Sequence, residues 1–290
     1  MPAARSGSRW IIAAALTVVA LASGIPSASA ETPGYVAMGD SFTSGFGLKG
    51  GAQPCYRAPG SYPVLADSQL DPTYPGLVLT HLACAGASVP FGMLGPQLSG
   101  GTPIAAQLPA AEQAVHTLAT MTIGANDVRW MQILKDCADP DHTQNCDELA
   151  AQPGTDEYDF DANLAAFRTN LSEVLSRING WAVRPDLLVG LYDWPFPETF
   201  DKRCLGTKMR ITLREFVYLQ SLLGRLNQAI TDAVTAAGFS ILDLRALFTG
   251  HDVCSAQPWS FPFRQPFIRA FHPNDAGHQG IANAVTAAWS

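Results

Sequence analysis

Basic side chains are scarce in this chain, with 18 Lys and Arg against 25 Asp and Glu, and charged residues make up only 15% of the 290 positions. No basic stripe runs along any stretch, which excludes the electrostatic footprint of a nucleic-acid-binding protein. The same acidic balance argues against strong attraction to anionic lipid, although a neutral or apolar substrate would be indifferent to it. Also missing are CxxC and HExxH, so the histidines and cysteines carry no metal signature. There is no internal repeat, low-complexity tract or Pro/Ser linker, and one domain is the simplest organisation. No apolar run reaches the roughly 20 residues that span a bilayer.

The apolar run that does exist is N-terminal. Arg5 and Arg9 precede the apolar stretch from Trp10 to Leu21, and Ala28-Ser29-Ala30 supplies small residues where a signal peptidase would cut. Residues 1–30 are therefore expected to be a secretory signal and residues 31–290 the working domain. Without Arg5 and Arg9 the balance becomes 16 basic against 25 acidic side chains, a net charge of −9. A chain of this length can bury the core of one large α/β domain.

All six cysteines, Cys55, Cys84, Cys137, Cys146, Cys204 and Cys254, follow the signal. An even number in an exported chain points to disulfides. Cys137 and Cys146 flank the short polar loop DCADPDHTQNC, which a bridge would close. The partners of the other four remain open on the residues alone.

Short apolar runs alternate with helical patterns. YVAMG (35–39), LVLTHLA (77–83), TLATMTIG (117–124), DLLVGLY (186–192) and SILDL (240–244) are candidate strands, nearly continuous in apolar residues as strands covered on both faces are. Leu164, Phe167, Leu171, Val174, Leu175 and Ile178 recur at three-and-four spacing before Gly180. A second pattern, Leu213, Phe216, Val217, Leu223, Leu226, Ile230 and Val234, ends before Gly238, and a last helix runs from about Asn274 to Trp289. The alternation predicts a parallel sheet between helices, with the ligand site beyond the carboxyl ends of the strands.

Those ends carry unusual residues. The first strand stops at Gly39-Asp40-Ser41, the second at Cys84-Ala85-Gly86 and the third at Gly124-Ala125-Asn126-Asp127. A hydroxyl, a bare glycine amide and a side-chain amide are thus set at three strand ends. Far downstream, FHPNDAGH places Asp275 three residues before His278 at the start of the last helix. That spacing sets a carboxylate and an imidazole on one helix face. These are the parts of an acyl-transfer site.

In these blocks the chain resembles the GDSL-type esterases and lipases of the SGNH hydrolase superfamily. GDSFTSG (39–45) matches the nucleophile block, Gly86 the oxyanion glycine, GAND (124–127) the GxND block and Asp275–His278 the DxxH block. The resemblance implies a three-layer α/β/α sandwich around a mainly parallel, flavodoxin-like sheet. Ser41 would be the nucleophile, His278 its base, Asp275 the acid that orients the imidazole, and Ser41, Gly86 and Asn126 the oxyanion donors. Some relatives replace that acid with a backbone carbonyl. The HPNxxGH form, the signal and the six cysteines resemble in particular the secreted lipases and esterases of actinobacteria. That likeness implies sequential bridges, 55 with 84, 137 with 146 and 204 with 254.

The expected function is a secreted, monomeric serine esterase cleaving carboxylic esters, lipid acyl esters first, through an acyl-Ser41 intermediate and without cofactor or metal. Asp40 and Asp127 are expected to organise their turns and His272 to shape the approach to the last helix. FTSGFGLKGG and the aromatics Trp259, Phe261, Phe263, Phe267 and Phe271 would flank an acyl groove. Phospholipases, carbohydrate O-deacetylases and thioesterases share this machinery, and a non-catalytic envelope-binding protein is the alternative from another class.

Overall fold

The computed structural model describes Met1 and residues 34–138, 146, 159–206, 209–263 and 269–290. The expected signal, apart from Met1, lies outside these residues, while Thr32–Ser290 forms one compact unit. Each anticipated strand is present: β1 (Gly34–Gly39), β2 (Val78–His81), β5 (Leu118–Thr122), β6 (Asp186–Gly190) and β7 (Ser240–Leu242) form a sheet in the order β2-β1-β5-β6-β7. All four pairings are parallel, so every strand ends on the same edge. A small antiparallel hairpin, β3 (Gln97–Ser99) with β4 (Thr102–Ile104), stands apart from it.

Every residue of β1 and of β5 is buried, which requires cover on both faces of the sheet. The cover comes in helix pairs. Helix α2 (Tyr62–Leu70) packs on the last helix, α8 (Asp275–Trp289), and α5 (Phe160–Asn179) packs on α6 (Leu213–Ala236). Trp289 of α8 meets Tyr35 of β1 edge to face, with ring centroids 5.3 Å apart. The chain is an α/β protein built on a mainly parallel central sheet.

Local chemistry accounts for the helix bounds. Asp159 caps α5, accepting from the Ala162 amide at 2.8 Å, and Gly180 ends it. Thr212 and Glu215 cap α6 reciprocally as a capping box. Asn274 caps α8 by accepting from the amides of Ala276 and Gly277. The predicted apolar stripe of α6 needs one correction. Leu213 and Val217 are exposed, because the buried line runs through Phe216, Leu219, Leu223, Leu226 and Ile230 and turns these two outward.

The disulfides join Cys55 to Cys84, Cys137 to Cys146 and Cys204 to Cys254. The second closes the end of helix α4 (Trp130–Cys137). Among the described residues no helix is long and apolar enough to cross a membrane.

Candidate active site

Beyond β1 the chain turns within two residues. The Gly39 amide donates to Gln107 Oε1 at 2.7 Å, and Gln107 Nε2 returns a hydrogen bond to the Gly39 carbonyl at 2.9 Å. Gly39 has φ +130°, and a Cβ there would lie 2.3 Å from the Thr122 carbonyl oxygen, so no other residue fits this crossing. Asp40 then caps the single-turn helix α1 (Ser41–Ser44), accepting from the Phe42 amide at 2.9 Å. Its other carboxylate oxygen accepts a short hydrogen bond from Tyr192 Oη, which itself accepts from the Ala125 amide at 3.0 Å. Asp40 therefore organises the turn, and burial raises its pKa to about 7.

The loops after β2 and β5 are tied to one another. Asn126 Nδ2 donates to the Ala87 carbonyl at 2.8 Å, and the Asp127 carboxylate accepts from the Val89 amide at 3.0 Å. These bonds hold Gly86, at φ +83°, beside Ser41. The disulfide from Cys84 to Cys55 and a hydrogen bond from the Ala85 amide to the Cys55 carbonyl at 3.1 Å fix the other side of that loop. Among the described residues the N–H groups of Ser41 and Gly86 make no hydrogen bond. Ser41, Gly86 and Asn126 line one open cavity of about 360 Å³.

The imidazole in that cavity belongs to His272, which overturns the expectation for His278. His272 Nε2 lies 2.8 Å from Ser41 Oγ, and its Nδ1 lies 3.2 Å from the Ala270 carbonyl oxygen. With Nδ1 donating to that carbonyl, Nε2 is left as an acceptor for the serine hydroxyl. Burial, assisted by the field of Lys135, brings the His272 pKa down to about 4, so the ring is neutral near pH 7.

His278 instead faces into the pair α2–α8. It is fully buried, and its Nδ1 accepts from the Tyr62 amide at 3.1 Å. Asp275 is exposed on the first turn of α8 and hydrogen-bonds neither histidine. The reason is positional. A residue within α8 points where the helix packs, whereas His272 precedes the helix in the loop that passes over Ser41. Three residues before His272, where a DxxH pattern would put its acid, stands Arg269, with its guanidinium 4.7 Å from the centre of the Phe261 ring.

Two sets of residues not anticipated from sequence hold this loop. Residues 258–261 run beside 271–274, with the Phe261 amide donating to the His272 carbonyl at 2.8 Å and the Asn274 amide to the Trp259 carbonyl at 2.8 Å. Ser260 Oγ donates to the buried Asp193 at 3.1 Å. Beyond β6, Asn227 brackets Tyr192 through its amide and carbonyl at 2.9 and 2.8 Å.

Of the expected flank, Phe46 of FTSGFGLKGG lines the cavity, whereas the described downstream aromatics do not. Trp259 stacks on His251 with centroids 4.1 Å apart, and Phe271 packs on Phe196 at 5.1 Å. Neither they nor Phe261 or Phe263 line the cavity, and Phe267 lies outside the described residues. Its apolar wall is Phe46, Leu98 and Met131.

Comparison with known proteins identifies the family and the fold. Residues 37–279 match the GDSL-like Lipase/Acylhydrolase family. Lipase 1 of Streptomyces coelicolor is 30% identical over 274 residues, covering 92% of this chain and 90% of that protein. Among solved structures, an extracellular lipase from Streptomyces rimosus superposes with a TM-score of 0.71 at 21% identity, covering 88% of this chain and 99% of that one. Phospholipase A1 from Streptomyces albidoflavus gives 0.69 at 23% identity, covering 89% and 100%. A serine at the end of the first strand, an imidazole on its hydroxyl and this match across nearly the whole fold lead to one conclusion: the chain belongs to the GDSL-like lipase/acylhydrolase family and is a carboxylic ester hydrolase.

Proposed function

We propose that the protein is an exported serine lipase or esterase that cleaves lipid acyl esters through an acyl-Ser41 intermediate, with His272 as general base. The 2.8 Å approach of His272 Nε2 to Ser41 Oγ carries this reading. A serine hydroxyl is a weak nucleophile until a base takes its proton, and the neutral imidazole is placed to do so. The Ala270 carbonyl holds the tautomer and faces the imidazolium that forms, the part a carboxylate plays in a Ser-His-Asp set.

As Ser41 Oγ bonds to the ester carbon, the carbonyl oxygen becomes negative. The N–H groups of Ser41 and Gly86 and the second N–H of Asn126 are the donors for it, each worth about 2.7–4 kcal/mol where such groups have been removed. His272 then returns the proton to the departing alcohol, and water repeats the sequence on the acyl-enzyme. No metal or cofactor is invoked.

Export is supported by the N-terminal signal pattern and by the disulfides. Lipid esters are supported by the apolar wall and by relatives named as lipases. The test is hydrolysis of 4-nitrophenyl esters from acetate to palmitate, together with labelling by an organophosphonate. Covalent phosphonate on Ser41 and a chain-length optimum at eight carbons or longer are expected. A folded protein that neither turns over any ester nor takes the label would overturn the reading.

A further inference from the structure

The cavity at Ser41 has one feature that the ester chemistry does not use. Among the described residues that line it, Lys135 is the only charged side chain besides the titratable His272. In a chain where acidic groups outnumber basic ones, 25 to 18, the described residues of the pocket provide an ammonium and no carboxylate.

Lys135 is an exposed residue of helix α4. Met131 and Lys135, one turn apart on α4, both line the cavity, so this face of the helix forms its wall. Two residues later Cys137 is bridged to Cys146, whose amide donates to Glu215 of α6 at 3.3 Å. Among the described residues no carboxylate pairs with Lys135. Asp136, which follows Lys135 on the helix, accepts from Gln132 Nε2 at 3.0 Å. Lys135 lines the same cavity as Ser41 and His272, and its field adds to the burial that lowers the His272 pKa.

We propose that Lys135 is the specificity residue of this site, receiving an anionic group, phosphate or carboxylate, that the substrate carries beside its scissile acyl ester. The acyl chain lies on Phe46, Leu98 and Met131, and the anion lies at the Lys135 end. This inference rests on the proposed ester hydrolysis at Ser41 and names the class of ester.

The test compares kcat/KM for matched anionic and neutral esters in the protein and in Lys135→Gln and Lys135→Glu. One pair is 3-carboxy-4-nitrophenyl butyrate with 4-nitrophenyl butyrate. The other is dihexanoyl phosphatidic acid with dihexanoylglycerol. The anionic-to-neutral ratio should fall about threefold in Lys135→Gln, within the range for an exposed charge pair, and further in Lys135→Glu, where repulsion replaces attraction. The advantage of the unsubstituted protein should also shrink as salt rises from 0.01 to 1 M, a dependence that a purely structural lysine would not produce. A fall confined to one pair supports the proposal and identifies the carboxylate or the phosphate as the group read. Equal ratios in all three proteins, with neutral-ester turnover measurable in each, overturn the role of Lys135. No turnover of any ester by the folded unsubstituted protein overturns the hydrolase reading, and this inference with it.

Discussion

His272 Nε2 lies 2.8 Å from Ser41 Oγ, while His278 directs its Nδ1 to the Tyr62 amide at 3.1 Å. The two imidazoles therefore have different duties. His278→Ala leaves a buried amide at the start of α2 without its acceptor, and the loss should be about 1–3 kcal/mol of stability. Urea denaturation measures it, and an unchanged midpoint would show that the bond contributes nothing.

The depressed pKa of His272 sets the pH profile. The base works only as neutral imidazole, so kcat/KM should be flat through neutrality and fall as pH drops through about 4, well below the ordinary histidine value of 6.5. Stability follows the same sign. The unfolded ring binds a proton below about 6.5 while the folded one resists it, so folding should weaken as pH falls from 6.5 toward 4. An acid limb in kcat/KM centred near 6.5 would contradict the burial argument.

Tyr192 links two strand ends by donating to Asp40 and accepting from Ala125. Tyr192→Phe keeps the ring against Phe42, 5.0 Å between centroids, but leaves an amide and a carboxylate oxygen unpaired inside the protein. We expect a loss of about 1–3 kcal/mol. We also expect kcat to drop roughly tenfold with KM nearly constant, since turn geometry matters most in the transition state. Equal activity and melting temperature would remove Tyr192 from the account.

Ser260 is the corresponding support for the base. Ser260→Ala frees the buried Asp193 carboxyl, already raised to about 7 by burial, from its hydrogen-bond donor. The loop carrying His272 should loosen, lowering kcat several-fold at neutral pH while the Tyr192 turn stays intact. Steady-state kinetics on one short-chain ester decides it, and an unchanged kcat would show that the backbone pairing of 258–261 with 271–274 suffices.

The disulfide between Cys55 and Cys84 closes a loop that ends two residues before Gly86, the proposed oxyanion glycine. Replacing both cysteines by serine should cost about 3–4 kcal/mol in the chain-entropy estimate for a loop of that length. Activity should fall at temperatures where the protein remains folded, because Gly86 would lose its anchor.

Much of this architecture is legible in the sequence because its signals are local. YVAMG and TLATMTIG are nearly continuous in apolar residues since both faces of their strands are covered, and the last helix starts near Asn274 as its pattern implies. Ser41, Gly86 and Asn126 stand out in the sequence because they lie two, five and four residues past the ends of β1, β2 and β5, on the edge where an α/β sheet sets its ligand site. The sequence points to His278 because a carboxylate three residues before an imidazole suggests a pair, yet here that spacing lies inside a packed helix. Gln107 bracketing Gly39, Asn227 bracketing Tyr192 and Asp193 holding Ser260 join residues far apart in the chain. Nothing in the local pattern marks such pairs.

The measurement closest to the central claim is kcat/KM on 4-nitrophenyl butyrate for His272→Ala and His278→Asn, the latter keeping an acceptor for the Tyr62 amide. The account predicts a loss of about 10³-fold or more in His272→Ala and a change of less than about tenfold in His278→Asn. The reverse order, with His278→Asn inactive while folded and His272→Ala nearly normal, would contradict it.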